Sequence, residues 1–286
     1  MGYDDADFSL NISNEKQNNI LVAPFSMMML GPKPRQQINH LFSKIIYDST
    51  FSKVQGDKTL QSMTSVYVNP LLDDLATAAV KSETRSGEYN FLHISNGLYW
   101  VKGVDLIIKA FLLTFFDTDP VKLTLVLKNS DYRFNKIHEQ FKQLGREHQL
   151  ALVSNTVNHR DINNIYTLAD CYVCASRYDT FSMPTLEAAS LGLSVIAHRH
   201  GGMRDYLNVS MPEQYIPLRT KEITVPAGIW RGNIEVTSRE PTITSLQEAF
   251  SAAFKRGITL NRRTNDALIK RFSSTRRGIT AIKGIL

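Results

Sequence analysis

From Asn90 onward, short apolar runs rich in branched residues alternate with longer segments of helical period. This alternation is typical of strand–helix units arranged around a parallel sheet. The candidate strands are residues 91–95, 123–128, 150–154, 171–175 and 194–198, and the candidate helices between them are residues 104–116, 133–144, 162–169 and 184–191. The pattern predicts an open, doubly wound α/β domain.

The segments on either side of this region are less regular. Residues 1–90 contain strand-like stretches at 20–25, 44–47 and 65–69, which predict a small or partial α/β domain. Residues 212–241 are rich in proline and glycine and are predicted to be a loop with a short hairpin. Two further helices are predicted at 245–254 and 265–272.

The composition is that of an ordinary globular protein, with 286 residues of which 43% are hydrophobic. Apolar runs such as 104–116 are shorter than the roughly 20 residues of a membrane span, and this one carries Asp105 and Lys109. The N-terminus is acidic and polar, whereas a secretory signal begins basic and then becomes apolar. We therefore expect a cytoplasmic protein.

The two cysteines, Cys171 and Cys174, form a C-x-x-C pattern that invites a redox or zinc interpretation. They lie in a predicted buried strand, where residues three apart point to opposite faces of the sheet. We expect two small core side chains rather than a disulfide or a metal site.

The net charge of +6 is concentrated at the C-terminal end, where residues 255–283 hold nine lysines and arginines and one aspartate. A solvated helix face is the commoner explanation, and peripheral contact with an anionic membrane is the alternative. Nucleic acid is an unlikely partner, because only Phe254 and Phe272 are interleaved with these charges as a stacking surface requires.

The strongest candidates for ligand-binding residues lie where a predicted strand leads into a predicted helix. Asp179 and Glu187 are eight positions apart in this segment. The N-terminus of a helix attracts phosphate, and Pro184 suits its first turn. A carboxylate one turn further along can accept hydrogen bonds from two hydroxyls, such as those of a ribose. This loop belongs to the edge of the sheet where ligands bind in doubly wound domains.

The segment resembles the E-x7-E motif of family 4 (group 1) retaining glycosyltransferases, which have the GT-B fold. The matching positions are Asp179, Phe181, Pro184, Leu186, Glu187, Ala188, Gly192, Val195 and Ile196. The resemblance implies that Glu187 binds the ribose and Asp179 the hydroxyls of the transferred sugar. It also implies that the backbone N–H groups of Thr180, Phe181 and Ser182 meet sugar or diphosphate.

Two further stretches resemble the same family in the same order. Residues 96–111 resemble its Gly-Arg-x-x-x-x-Lys-Gly segment, with Gly97 at the donor and Lys102 placed to neutralise the diphosphate leaving group. Residues 200–205 resemble the later Gly-Gly turn, where the loop at Gly201 and Gly202 approaches the donor. Residues 161–170 resemble the helix that precedes the motif strand.

Several positions depart from the family pattern. Asp179 replaces a glutamate, Thr180 and Ser182 replace glycines, and Leu98 replaces an arginine. The arginines that could substitute for the missing charge are Arg177, Arg199 and Arg204. His198 and His200 are expected to line the donor cleft rather than to bind metal, and Trp100 and Trp230 either stack on sugar or pack against the protein.

The resemblance implies a GT-B-like α/β fold with three parts: a partial acceptor-side domain (1–90), a donor domain (91–260) and a basic C-terminal helix (261–286) that crosses back. It also implies a metal-independent hexosyltransferase that takes a GDP- or UDP-sugar and needs no further cofactor. The acceptor is expected to be a hydroxyl of a glycan, a lipid-linked or a protein-linked substrate. The alternative is a degenerate, non-catalytic protein of the same fold that binds a nucleotide sugar or another protein.

Overall fold

The computed structural model describes residues 20–23, 44–47, 49–54, 64–66, 87–95, 99–127, 133–154, 159–207, 214–226, 236–257 and 265–272. It divides into two compact units, Met1–Asn69 with Glu222–Ser238, and Pro70–Lys221 with Arg239–Leu286. The first unit contains a parallel sheet of β1 (Ile20–Ala23), β2 (Lys44–Tyr47) and β3 (Thr64–Val66), in that order, and the short helix α1 (Thr50–Val54).

The second unit is built on a six-stranded sheet in which every neighbouring pair of strands is parallel. The strands are β4 (Tyr89–Ile94), β5 (Val121–Leu127), β6 (Leu150–Ser154), β7 (Cys171–Cys174), β8 (Ser194–Ala197) and β9 (Tyr215–Pro217). A separate two-stranded sheet follows, formed by β10 (Thr220–Val225) and β11 (Val236–Pro241).

The connecting helices are α2 (Val104–Thr114), α3 (Arg133–Gln143), α4 (His159–Leu168), α5 (Met183–Ser190) and α6 (Arg204–Leu207), and the chain continues with α7 (Ile243–Arg256) and α8 (Asp266–Phe272). Thr242 caps α7 because its hydroxyl accepts the N–H of Ser245. The last turn of α7 carries Lys255 and Arg256, which favour the negative end of the helix dipole.

Helices cover both faces of the sheet, and the side chains of β7 separate the two layers. Cys171 and Val173 belong to the apolar core shared with α2 and α7, where Phe91 and Phe250 meet edge to face with ring centres 4.8 Å apart. Tyr172 points the other way, with its ring 6.4 Å from that of Tyr166 on α4. The sheet is therefore buried on both faces, which explains why its strands are near-continuous apolar runs.

The spatial order of the strands is β6-β5-β4-β7-β8-β9. Numbered from β4 along the chain, this is the order 3-2-1-4-5-6 of the Rossmann fold, so the predicted doubly wound α/β domain is confirmed. The order reverses between β4 and β7, and doubly wound sheets bind ligands beyond the carboxyl ends of the strands at such a point. The loops that follow β4 and β7 are the ones that carry the predicted site.

Most predicted elements are present, with ends shifted by at most three residues. The prediction for residues 212–241 was wrong in part, because Tyr215–Pro217 is a sixth strand of the main sheet, paired with β8. This strand has three residues and includes a proline, which an edge strand tolerates because one of its sides is unpaired. Within the parts of the chain that the structure describes, no helix is long and apolar enough to cross a membrane.

Candidate functional site

An ion pair joins the two loops at the switch point. Lys102 lies in the loop after β4 and Asp179 in the loop after β7, and their Nζ and Oδ2 atoms are 2.7 Å apart. The side chains are 20% and 7% exposed, respectively. The structure therefore brings together two residues that are 77 positions apart in the sequence and that the motifs had singled out separately.

The surroundings keep both members of this pair charged. Burial alone lowers the pKa of Lys102, but the charge of Asp179 and its hydrogen bond outweigh burial and hold that pKa above its usual value. Burial alone raises the pKa of Asp179, but Lys102, with help from the Phe181 N–H and the Ser182 hydroxyl, holds it below its usual value. The Phe181 N–H donates to Asp179 Oδ1 at 3.3 Å, and the Ser176 hydroxyl donates to Oδ2 at 3.3 Å.

The Gly-Gly turn after β8 packs directly on the backbone of the Asp179 loop. The N–H of Gly202 donates to the carbonyl of Asp179 at 3.2 Å. A Cβ atom on Gly202 would lie 1.7 Å from the carbonyl oxygen of Thr180, and one on Gly201 would lie 2.3 Å from that of Asp179. Glycine is required here so that one loop can support the other.

Glycine also allows close backbone contact at the end of the loop that carries Lys102. Gly103 has a φ of +69°, and a Cβ atom there would lie 2.1 Å from the carbonyl oxygen of Ala175. The loop after β4 therefore rests against the end of β7, which sets the approach of Lys102 to Asp179.

Phe181 and Ser182 complete the turn into α5. The Phe181 ring is buried and packs against the rings of Tyr206 and Phe272. Ser182 is left-handed, with φ of 61°, a conformation that glycine adopts more readily and that fits the glycine of the family pattern. The Tyr206 hydroxyl lies 3.0 Å from the carbonyl of Phe181 and 2.9 Å from that of Ser182.

Helix α5 begins directly after the loop that carries Asp179, with Pro184 in its first turn. The N–H of Thr185 donates to the carbonyl of Ser182 at 3.1 Å, so intrahelical bonding begins there. The N–H groups ahead of it lie at the positive end of the helix, where anions are favoured. Glu187 follows within the first turns and is half-buried, and its Oε2 accepts the hydroxyl of Tyr166 at 2.6 Å.

Arg177 has a different place from the one considered in the sequence. It is 3% exposed and makes a two-pronged ion pair with Asp105, with N···O distances of 2.8 and 2.7 Å. It also pairs with Glu240, donates to the carbonyl of Trp100, and lies 4.3 Å from the centre of the Trp100 ring. The guanidinium therefore clamps the loop that carries Lys102, and its charge is paired with two carboxylates of the protein.

Trp100 shares this packing role, because its ring supports the Arg177 guanidinium. Arg199 lies 5.3 Å from the centre of the Tyr215 ring, and Arg204 is exposed on α6. Gly97, Leu98 and Trp230 lie outside the described residues. Among the predicted donor-side residues, the structure thus joins Lys102 with Asp179 and the Gly-Gly turn with the Asp179 loop.

His198 uses both ring nitrogens within the protein. Nε2 lies 2.6 Å from the carbonyl of Ser176 and donates to it, and Nδ1 accepts the N–H of His200 at 3.1 Å. Burial lowers the pKa of His198 to about 4, so the ring is neutral. Within the described ranges, no group of three or more His, Cys, Asp or Glu side chains is arranged to hold a metal ion.

Cys171 and Cys174 are both free and buried. Their side chains lie on opposite faces of β7, as the strand pattern predicted, and the Cys174 sulfur lies 3.5 Å from that of Met203.

Tyr166 and the Arg177 clamp were missed by sequence reasoning. The only sequence signal for Tyr166 is its place in the helix that precedes the motif strand. The carboxylates that pair with Arg177, Asp105 and Glu240, lie 72 and 63 positions away, so no local pattern links them to it.

One protein-family model, described as Glycosyl transferases group 1, matches residues 77–209. This range includes every residue predicted for the donor site. Mannosylfructose-phosphate synthase of Agrobacterium fabrum is 33% identical over 108 residues, which cover 36% of this chain and 24% of that enzyme. The matched segment therefore spans about a quarter of that relative.

Solved structures of similar fold cover nearly the whole chain. A glycosyltransferase of Rickettsia africae superposes with a TM-score of 0.63 at 16% identity, covering 93% of this chain and 70% of that one. The HepE protein of Anabaena, solved in complex with UDP and glucose, gives 0.64 at 15% identity, covering 93% and 71%. At these identities the likeness establishes the fold alone, which is a GT-B-like α/β fold.

Proposed function

We propose that this protein transfers a hexose from a nucleoside diphosphate sugar to a hydroxyl acceptor with retention of anomeric configuration. The match of residues 77–209 to the Glycosyl transferases group 1 model supports the proposal. The Lys102–Asp179 pair at the switch point carries the proposal. It combines a cation for a departing diphosphate with a carboxylate for the hydroxyls of a sugar, at the edge of the sheet where this fold binds ligands.

The protein's contribution to the reaction is electrostatic. Lys102 and the N-terminus of α5 stabilise the negative charge that develops on the leaving nucleoside diphosphate. Asp179 orients the transferred sugar and holds Lys102 in position until the donor arrives. Glu187 accepts hydrogen bonds from the ribose, and we assign no side chain as nucleophile or general base.

We further propose a donor, an acceptor and a cellular location for the reaction. The donor is a UDP- or GDP-sugar, consistent with HepE having been solved with UDP and glucose. The acceptor is a hydroxyl of a glycan, a lipid-linked or a protein-linked substrate, selected by residues 1–90, while residues 91–260 bind the donor. Catalysis proceeds in the cytoplasm without metal, and the basic residues 261–286 provide contact with an anionic membrane face.

The first test is binding of UDP, GDP, UDP-glucose, UDP-GlcNAc and GDP-mannose, measured by calorimetry on the full chain. Glu187→Ala should abolish binding of the nucleotide that wild type prefers. Glu248→Ala, which removes an exposed helical glutamate paired with Arg219, is the matched control and should leave binding unchanged. Absence of binding by all five compounds contradicts the proposal.

The second test is turnover with the bound donor and a panel of hydroxyl acceptors. NMR of the product gives the anomeric configuration of the new bond, which should equal that of the donor, and added chelator should leave the rate unchanged. Donor binding without hydrolysis or transfer would instead support the non-catalytic alternative, and an inverted product would contradict retention.

A further inference from the structure

A buried tyrosine holds the carboxylate assigned to the ribose. Tyr166 lies on α4, is fully buried, and places its hydroxyl 2.6 Å from Glu187 Oε2. The same hydroxyl is 3.3 Å from the carbonyl of Pro184. A phenol has one proton to donate, and the shorter distance to a charged acceptor gives it to Glu187.

This contact fixes a side chain that is otherwise adaptable. Glutamate has three rotatable bonds, and ordering them on binding costs affinity. The Tyr166 ring is itself immobilised, because it is fully buried and its centre lies 6.4 Å from that of the Tyr172 ring on β7. Burial and the neighbouring charge of Glu187 raise the pKa of Tyr166 well above its usual value, so the hydroxyl remains a donor.

A carboxylate offers about four acceptor positions. One bond from Tyr166 is therefore compatible with two further bonds from the 2′- and 3′-hydroxyls of a ribose. The substitution Tyr166→Phe removes only this hydroxyl, because phenylalanine has the same ring and fits the same space.

We infer that Tyr166 is a positioning residue that presents the Glu187 carboxylate to the ribose diol and so sets the preference for ribonucleotides. The inference rests on the proposed function, since it requires that Glu187 bind ribose. Its action is through Glu187 and involves no contact with the reacting atoms. Its signature is a loss of affinity that depends on the ribose hydroxyls.

The experiment is calorimetry with four ligands, UDP, GDP and their 2′,3′-dideoxy analogues, on the full-length wild type, Tyr166→Phe and Tyr172→Phe. Tyr172 is the control because it is an equally buried neighbouring phenol whose hydroxyl lies 3.5 Å from the carbonyl of Ile94. Thermal unfolding of each variant shows whether the fold is retained.

Wild type should bind the ribonucleotide more tightly than its dideoxy analogue. Tyr166→Phe should weaken ribonucleotide binding about tenfold, equivalent to about 1.4 kcal/mol, and leave dideoxy binding unchanged. Tyr172→Phe should change neither.

Other outcomes overturn the inference in distinguishable ways. Equal weakening of both ligand types by Tyr166→Phe assigns the hydroxyl a general structural role, and no weakening of either removes its role altogether. A wild type that binds ribo- and dideoxynucleotides equally, or binds none, refutes the ribose role of Glu187 itself and thereby the proposed function of that residue.

Discussion

The contact between the Gly-Gly turn and the Asp179 loop predicts a large effect from adding one methyl group. In Gly202→Ala the new Cβ would lie 1.7 Å from the Thr180 carbonyl oxygen and 2.7 Å from the Cα of Phe181. Ordinary contact begins near 3.4 Å, so one backbone segment must move by about 1.7 Å. Both obstacles are backbone atoms, which cannot rotate away as the end of a side chain can.

The expected cost follows from what that movement disrupts. The hydrogen bond from the Gly202 N–H to the Asp179 carbonyl is lost, at about 1 kcal/mol, and overpacking adds about 1–3 kcal/mol. We therefore expect a decrease of about 2–4 kcal/mol in the free energy of unfolding. Because Asp179 moves relative to Lys102, donor turnover should fall on the order of 100-fold, as misplacement by about 1 Å does elsewhere.

Gly145→Ala is the matched control. Gly145 has a φ of +67° and nothing within 4 Å of the position a Cβ would occupy, so alanine there meets only the conformational penalty of about 1 kcal/mol. Urea denaturation and the donor assay should be run on both variants. If Gly202→Ala is no less stable than Gly145→Ala and turns over donor at the wild-type rate, the supporting role of the turn is refuted.

Two further predictions concern buried side chains that can carry a charge. Arg177→Met should lower the free energy of unfolding by roughly 3 kcal/mol, because Asp105 and Glu240 lose their buried partner, and urea denaturation should show this loss; a change below about 1 kcal/mol would contradict the clamp. His93 and His198 have folded-state pKa values of about 4, below the usual 6.5, because they are buried. The unfolded chain therefore takes up protons first, and stability should fall as the pH drops from about 6.5 to about 4, by about 3 kcal/mol for each histidine. Denaturation across this range should show the fall, and His198→Gln should make it shallower; a profile that is flat in wild type would disprove the burial of these rings.

The helices and strands of the second unit were predictable because their physical causes are local. A parallel strand buried on both faces must be apolar along its length, as β5 and β7 are, and an amphipathic helix such as α3 repeats its apolar residues every three or four positions. The opposite orientations of Cys171 and Cys174 follow from the two-residue period of a strand. The strand β9 was missed because three residues are too few to show a period.

The site was predictable only where its residues form a contiguous motif. Asp179, Pro184 and Glu187 share one strand–loop–helix segment, so their types and spacing indicate a phosphate-binding turn in the sequence itself. Lys102 was named from a separate motif, and its pairing with Asp179 depends on β4 and β7 being neighbours in the sheet.

The amino-acid sequence by itself determined the strand–helix alternation, the residue types of the donor motif and the burial of the cysteines, because each depends on neighbours within a few positions. Only the tertiary structure decided that Arg177 clamps the Lys102 loop, that Tyr166 meets Glu187 and that Gly202 admits no side chain. Those contacts join segments between 21 and 77 positions apart. Their distances are set by the order and packing of strands and helices, which no local pattern of residues specifies.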